Sequence, residues 1–281
     1  MGAISKIWII GANGRLGSAM NELLNKREFE ILNTDLDEVD ITNAEDVMNY
    51  GYMNRPDIII NCAGFTDLEG CEKDPEKAYK VNALGARNVS IIASKTGAKL
   101  IHISTDDVFD GEAHIPYTEF DTPTPKSIYG KSKLAGEQFV KNFAEKYMII
   151  RSSWVYGEGN NFVQDLLEMA KTKETIRIAN DQYGAPTSAI QLAKLVMYLM
   201  ETTEYGLYHG TCSGSCSRYE FAQEILRLAN VKVHLEPVPT KHADLTNARP
   251  AYTVLDNFML RIGTVYKMPD WKEALEVYMK K

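Results

Sequence analysis

The run Lys6-Ile-Trp-Ile-Ile-Gly-Ala-Asn-Gly-Arg-Leu-Gly17 constrains this 281-residue chain more than any other segment. Its apolar stretch Ile7 to Ile10 reads as a buried strand. The strand breaks into Gly11-x-x-Gly14-x-x-Gly17, and Met20, Leu23 and Leu24 then recur at helical spacing. Strand, glycine loop and helix in that order make a phosphate cradle. Gly11 permits the tight turn, Gly14 lets the backbone approach a pyrophosphate, and Gly17 allows close helix packing, while the helix N-terminus offers free N–H groups and a positive dipole. Asn13, Arg15 and Leu16 lie within the same cradle. A second strand, Glu30 to Asp35, ends in a carboxylate 18 positions after Gly17, where a dinucleotide fold binds the adenosine ribose.

Beyond the cradle, strand and helix patterns keep alternating, the signature of a parallel sheet covered on both faces. Helices are expected at 43–50, at 76–96 and from near Tyr129 through 134–146. Strands are expected at 57–61, 99–105 and 148–152. Such a doubly wound α/β sheet of Rossmann type binds ligands at its strands' carboxyl ends, and Gly17, Asp35, Ala63 and Thr105 all fall near such ends. The second half differs, with helices at 162–171, 189–201, 219–228 and 271–279 separated by polar loops, as in a smaller C-terminal substrate lobe. No linker interrupts the chain. The expected division assigns 1–157 and about 187–212 to the dinucleotide-binding domain, and about 158–186 and 213–281 to the lobe.

In Ser127-Ile-Tyr-Gly-Lys-Ser-Lys133, Tyr129 and Lys133 are four residues apart and share one helix face. A free phenol titrates near pH 10, so proton transfer at neutral pH needs stabilisation of roughly 4 kcal/mol, which a lysine ammonium one turn away can supply. The spacing alone occurs about once by chance in a chain with 15 tyrosines. Behind a glycine cradle it reads as hydride-transfer chemistry.

Composition narrows the field. At 44% hydrophobic residues the chain can bury a full core, and a formal charge of −7 argues against a nucleic-acid surface. No apolar stretch approaches the roughly 20 residues of a membrane span, and the N-terminus enters a strand directly, so a cytoplasmic protein is expected. The four cysteines, Cys62, Cys71, Cys212 and Cys216, read as reduced thiols, and no metal ligand set is visible. His102 alternates with apolar strand residues as a packed core histidine does. Asn82 reads as a structural helix residue bonded to the sheet, and Lys131 as a solvated neighbour of Lys133.

These segments together resemble the extended short-chain dehydrogenase/reductases, and within them the dTDP-4-dehydrorhamnose reductases. The resemblance runs from Lys6 to Trp271. It rests on the glycine loop, Asp40-Ile-Thr-Asn43, Ile103-Ser-Thr-Asp106, Val108-Phe-Asp-Gly111, Tyr129-Gly-Lys-Ser-Lys133, Arg151-Ser-Ser-Trp-Val-Tyr156, Asn161-Phe-Val163, Asp181-Gln-Tyr-Gly-Ala-Pro-Thr187 and Arg249-Pro-Ala-Tyr252. It implies that Thr105, Tyr129 and Lys133 are catalytic. Thr105 would bond the substrate carbonyl or the phenol, Tyr129 would deliver a proton, and Lys133 would lower the phenol pKa and hold the nicotinamide ribose. Cofactor contacts would extend to Asp40, Ile41, Ala63, Gly64, Phe65 and Thr66. Substrate contacts would be Thr105, Asp106, Trp154 and Arg249, the last on the nucleotide diphosphate. Without the resemblance, Trp154 reads as core and Arg249 as an exposed loop charge. The implied cofactor is NADPH or NADH with dual use, and the implied partner is a nucleotide-diphosphate sugar. A homodimer is compatible, although no amphipathic helix singles itself out as its interface.

Two departures touch the sugar end of this pattern. Asp107 stands where the family carries tyrosine, and Asn61-Cys-Ala-Gly-Phe-Thr-Asp-Leu-Glu-Gly-Cys-Glu72 replaces the usual Asn-Ala-Ala-(His/Tyr)-Thr-Ala-Val-Asp-Lys-Ala-Glu. They leave open a related ketoreductase acting on another sugar or base. A reading from a different class is a cofactor-binding regulator like the regulatory subunit of methionine adenosyltransferase, which needs the glycine loop and Asp35 but not Thr105, Tyr129 and Lys133.

Overall fold

Apolar runs too short for helices build the centre of the molecule. In the computed structural model, which describes residues 5–245 and 249–280, strands β1 (Ser5–Ile10), β2 (Phe29–Thr34), β3 (Ile58–Asn61), β4 (Lys99–Thr105) and β5 (Tyr147–Ser152) join a sixth, Gly206–His209. Ala248, which opens the expected polar loop 248–252, lies outside the described residues. The sheet is parallel throughout, in the order Gly206–His209, β5, β4, β3, β1, β2. The sixth strand is missing from the expected set because four residues flanked by loops carry too little pattern. Ile7, Trp8, Ile9, Ile59 and Ile60 are fully buried between two helical layers. Each such side chain stabilises the fold by roughly 1.5–3 kcal/mol relative to exposure.

The chain goes from β1 outward to β2 and then crosses to β3 on the other side of β1, which creates a topological switch point between β1 and β3. Helices α1 (Arg15–Leu23), α2 (Ala44–Asn54), α3 (Leu68–Lys73), α4 (Pro75–Tyr79), α5 (Ala86–Thr96) and α6 (Ile128–Phe143) follow in turn. The expected continuous helix 76–96 is broken, because Lys80–Gly85 is wound as a π-helix between α4 and α5. π-Turns concentrate at functional sites. This one presents Asn82 to the loop after β3, as described below.

The C-terminal half folds back in pieces. Thr175–Ala179 pairs in parallel with His234–Val238, Tyr183–Gly184 pairs with Cys216–Ser217, and helix Ala189–Met200 joins the core that also holds Leu16, Ala19 and Met20 of α1. The segment after β4 also crosses over, since Tyr117 bridges to Leu255 and its N–H donates to the Val254 carbonyl. C-terminal segments therefore return repeatedly to the central sheet and its helices. Among the described residues, no helix is long and apolar enough to cross a membrane, no disulfide forms, and no group of three or more His, Cys, Asp or Glu could hold a metal.

Candidate active site

The glycine loop has the shape that its spacing predicts. Gly11 has φ +77°, and a Cβ there would sit 2.8 Å from the Ala63 nitrogen, so the turns after β1 and β3 meet at the switch point. At Gly17 a Cβ would lie 2.4 Å from the Gly11 carbonyl oxygen, which only glycine avoids. Gly14 is the N-cap of α1; its side is open apart from the Gly11 carbonyl, no side chain caps the helix, and no acidic residue occupies its first turn. The cradle therefore suits the pyrophosphate of a dinucleotide in space and in sign.

Beside it, the Asp35 carboxylate accepts from the Asn13 and Leu36 N–H groups at 3.0 and 2.9 Å and so faces the loop from the end of β2. Arg15 is exposed and donates to the Asn160 carbonyl, spanning the cradle towards the 157–161 loop. Asp40 accepts from the Thr42 N–H, and Ile41 is buried against Gly85. On the other wall Asn82 accepts from the Phe65 N–H (2.8 Å) and donates to the Phe65 carbonyl and to Ser132 (both 3.0 Å). Its partners are thus the Gly64–Phe65 loop and α6, not the sheet, and Thr66 stands exposed beyond them.

Helix α6 carries the proposed chemistry and is held in register by three contacts. The Ser127 side chain caps it by accepting from the Gly130 N–H at 3.0 Å. A Cβ at Gly130 would sit 2.1 Å from the Asp107 carbonyl oxygen, so this glycine lets α6 lie directly on the turn after β4. Deeper in, buried Glu137 receives a bidentate pair from buried Arg151 of β5 at 2.8 and 2.7 Å, and Ser104 of β4 donates to the same carboxylate at 2.6 Å. Arg151 reads from sequence as part of a family pattern; its partner Glu137 has no sequence signal, since a glutamate in an amphipathic helix ordinarily faces water.

Thr105, Tyr129 and Lys133 are all buried, and Thr105 and Tyr129 are hydrogen-bonded to each other. Burial, followed by the negative charge of Asp107, raises the Tyr129 pKa; Arg249 and a hydrogen bond with Thr105 oppose the rise. The phenol is thus kept protonated, as a proton donor requires. Thr105 also donates to Asp106 at 3.1 Å and accepts from the Asp107 N–H. Lys133 donates to the Ile103 carbonyl at 2.6 Å beneath Gly64, and burial lowers its pKa to about 8 against the pull of Glu137 and Cys62. Lys133 thus turns towards the Ile103 carbonyl, and Arg249 is the cation that opposes the rise in the Tyr129 pKa. Spacing puts two residues on one face but does not say which way a long side chain turns.

Near Tyr129 lie two aspartates and two arginines, Asp106, Asp107, Arg249 and Arg218. Asp106 is fully engaged, accepting from Thr105, Ser153 (2.7 Å) and Thr253 (2.5 Å). Asp107 is completely buried, its Oδ2 accepts from Arg249 at 2.9 Å, and its Oδ1 has no partner among the described residues. Burial raises its pKa to about 6 against the Arg249 charge. Arg249, the residue expected to meet the diphosphate, is thus paired with a buried carboxylate beside Tyr129. Trp154 is 8% exposed, with Arg218 stacked over its ring. Arg218 is absent from the residues expected in the site. His102 is buried and bonded to Asn61, as a core histidine should be. A separate cleft of about 460 Å³, lined in part by Ser213, Leu260, Arg261 and Tyr266, contains none of these residues.

A switch-point glycine cradle beside a Thr–Tyr–Lys constellation defines a Rossmann-type reductase of the short-chain kind. The chain belongs to the family described as the RmlD substrate binding domain, whose model matches residues 5–281. It is 36% identical to the spore coat polysaccharide biosynthesis protein SpsK of Bacillus subtilis (strain 168), over 99% of this chain and 98% of that one. It is 35% identical to the dTDP-4-dehydrorhamnose reductase of Escherichia coli (strain K12), over 96% and 95%. The crystal structure of dTDP-4-dehydrorhamnose reductase from Bacillus anthracis str. Ames in complex with NADP superposes with a TM-score of 0.96 at 43% identity, covering 99% of both chains.

Proposed function

We propose that this protein reduces the 4-keto group of a nucleotide-linked deoxysugar, with dTDP-4-dehydro-L-rhamnose to dTDP-L-rhamnose as the reaction that its relatives favour. The observations that support the reading are the buried, hydrogen-bonded Thr105 and Tyr129 and the position of Lys133 beneath Gly64, whose neighbour Ala63 abuts Gly11 of the glycine cradle. A bound nicotinamide would supply the hydride to the carbonyl carbon. Tyr129 donates the phenolic proton to the carbonyl oxygen, and Thr105 orients that oxygen and the phenol. Lys133 offers an ammonium to the cofactor ribose, Asp35 faces the adenosine ribose, and the α1 N-terminus with Gly11, Gly14 and Gly17 meets the pyrophosphate. Asp35 favours NADH, whereas Arg15 tolerates a 2′-phosphate, so both cofactors should serve. The division into 1–157 with about 187–212, and about 158–186 with 213–281, is part of the same proposal, with one qualification. The excursion 109–118 packs against the C-terminal segment and belongs functionally with the lobe.

A panel of nucleotide-linked 4-keto-6-deoxysugars, followed by loss of NAD(P)H absorbance, tests the reading. Turnover of the dTDP-linked 4-ketosugar is expected. Cofactor binding without oxidation by any member of the panel would instead favour a regulatory protein.

A further inference from the structure

Arg218 is a cation in an unfavourable place. It is the first residue of helix Arg218–Ala229, where a positive charge opposes the helix macrodipole by roughly 0.3–1 kcal/mol. The helix does not need it, because Ser217 and Glu220 already form a reciprocal capping box. Its guanidinium lies 3.5 Å above the Trp154 ring and 5.0 Å from that of Phe162. The ring beneath is itself fixed. Trp154 adopts φ +46°, a region costly for a bulky side chain, and packs so closely on Gly184 that a Cβ there would lie 2.5 Å from it.

This rigid, half-buried guanidinium makes no ion pair or hydrogen bond with a described residue. The neighbouring carboxylates have other partners: Asp106 accepts three hydroxyl groups, and Asp107 is paired with Arg249. Burial and the adjacent Arg249 charge lower the Arg218 pKa to about 9, with Asp106 among the groups that oppose the shift. Two guanidinium groups are therefore close enough to repel, and one of them retains its planar donor fork. An anion with several acceptor oxygens relieves that repulsion and satisfies the fork.

Resting on the nucleotide-sugar reading above, we propose that Arg218, braced on Trp154, binds the substrate diphosphate. Arg249 then stays with Asp107 and shapes the field at Tyr129. Trp154 acts as the platform that holds Arg218, which explains why it is so little exposed for a residue of the substrate pocket.

Calorimetric titration of dTDP and dTMP into the NADPH-saturated protein tests this. Arg218→Ala should weaken dTDP binding about 10- to 100-fold, as expected for loss of a charge-assisted pair, and dTMP binding less. Arg218→Lys should recover part of the loss, since it restores charge but not the stacked fork. NADPH affinity should stay within about twofold in every variant, which verifies the fold; if Arg218→Ala fails that check, Arg218→Gln takes its place. Wild-type dTDP affinity in a folded, neutral Arg218 variant would overturn the assignment and leave the proposed reaction standing. Failure of the wild-type protein to bind dTDP would overturn the dTDP-sugar reading, and this assignment with it.

Discussion

At the scale of single residues, the site works by opposing environments. Tyr129 is held neutral by burial and by Asp107, while Lys133 is destabilised as a cation by the same burial. Tyr129→Phe keeps the shape and removes the transferable proton. Turnover should fall by at least about 10²-fold while dinucleotide affinity persists, and wild-type turnover in a coupled-substrate assay would remove Tyr129 from the proton path. Lys133 titrates near 8, so its ammonium is present below that pH and is lost above it. NADPH affinity, read by fluorescence titration, should accordingly weaken as pH rises through about 8; a flat profile to pH 9.5 would place ribose binding elsewhere. Asp35→Ala should cost NADH binding about 1–3 kcal/mol and shift preference towards NADPH. Strict NADPH dependence unchanged by that substitution would exclude Asp35 from cofactor choice.

At the scale of elements, α6 matters most, because it positions Tyr129 and Lys133 through contacts that neither residue makes. The Glu137–Arg151 pair clamps it to β4 and β5 in a site closed to water. Arg151→Met leaves the buried Glu137 charge without its cation and with only the Ser104 hydroxyl as partner, a loss of about 3–5 kcal/mol in unfolding free energy. Adding Glu137→Leu should recover much of that stability, since two apolar residues avoid the uncompensated charge. Denaturant melts of the two singles and the double decide the matter, and additive losses would show that the pair is not coupled. Several helices were readable from sequence, since Phe162–Ala170, Ala189–Met200, Arg218–Ala229 and Trp271–Met279 fall within about a residue of the ranges their spacing predicts. The π-turn Lys80–Gly85 was not, because its residues continue the apolar spacing of an ordinary helix.

For the molecule as a whole, the chain's repeated crossings tie its C-terminal half to the central sheet. Helix Ala189–Met200 packs in the core with α1, strand Gly206–His209 joins the central sheet, and Tyr117 leaves that sheet's connections to pair with Leu255. Thermal unfolding should therefore be a single calorimetric transition, raised by NADPH, which at 100 times its Kd stabilises the native state by about 2.7 kcal/mol. Two resolved transitions, only one of them moved by NADPH, would show that the lobes unfold separately.

The sequence by itself determined the parallel sheet, the glycine cradle and the candidates Asp35, Thr105, Tyr129 and Lys133. Each of these is a local matter of a two-residue or 3.6-residue period, a glycine that admits a turn, or a residue type at a strand end. Tertiary structure alone decided which charges meet. Asp107 and Arg249 are 142 positions apart, and Arg218 reaches Trp154 across 64, so no spacing rule connects them. Whether an arginine is an exposed loop charge, the partner of a buried aspartate or a cation awaiting an anion depends on what packs around it. That is a property of the folded interior, where low polarity makes every unpaired charge consequential.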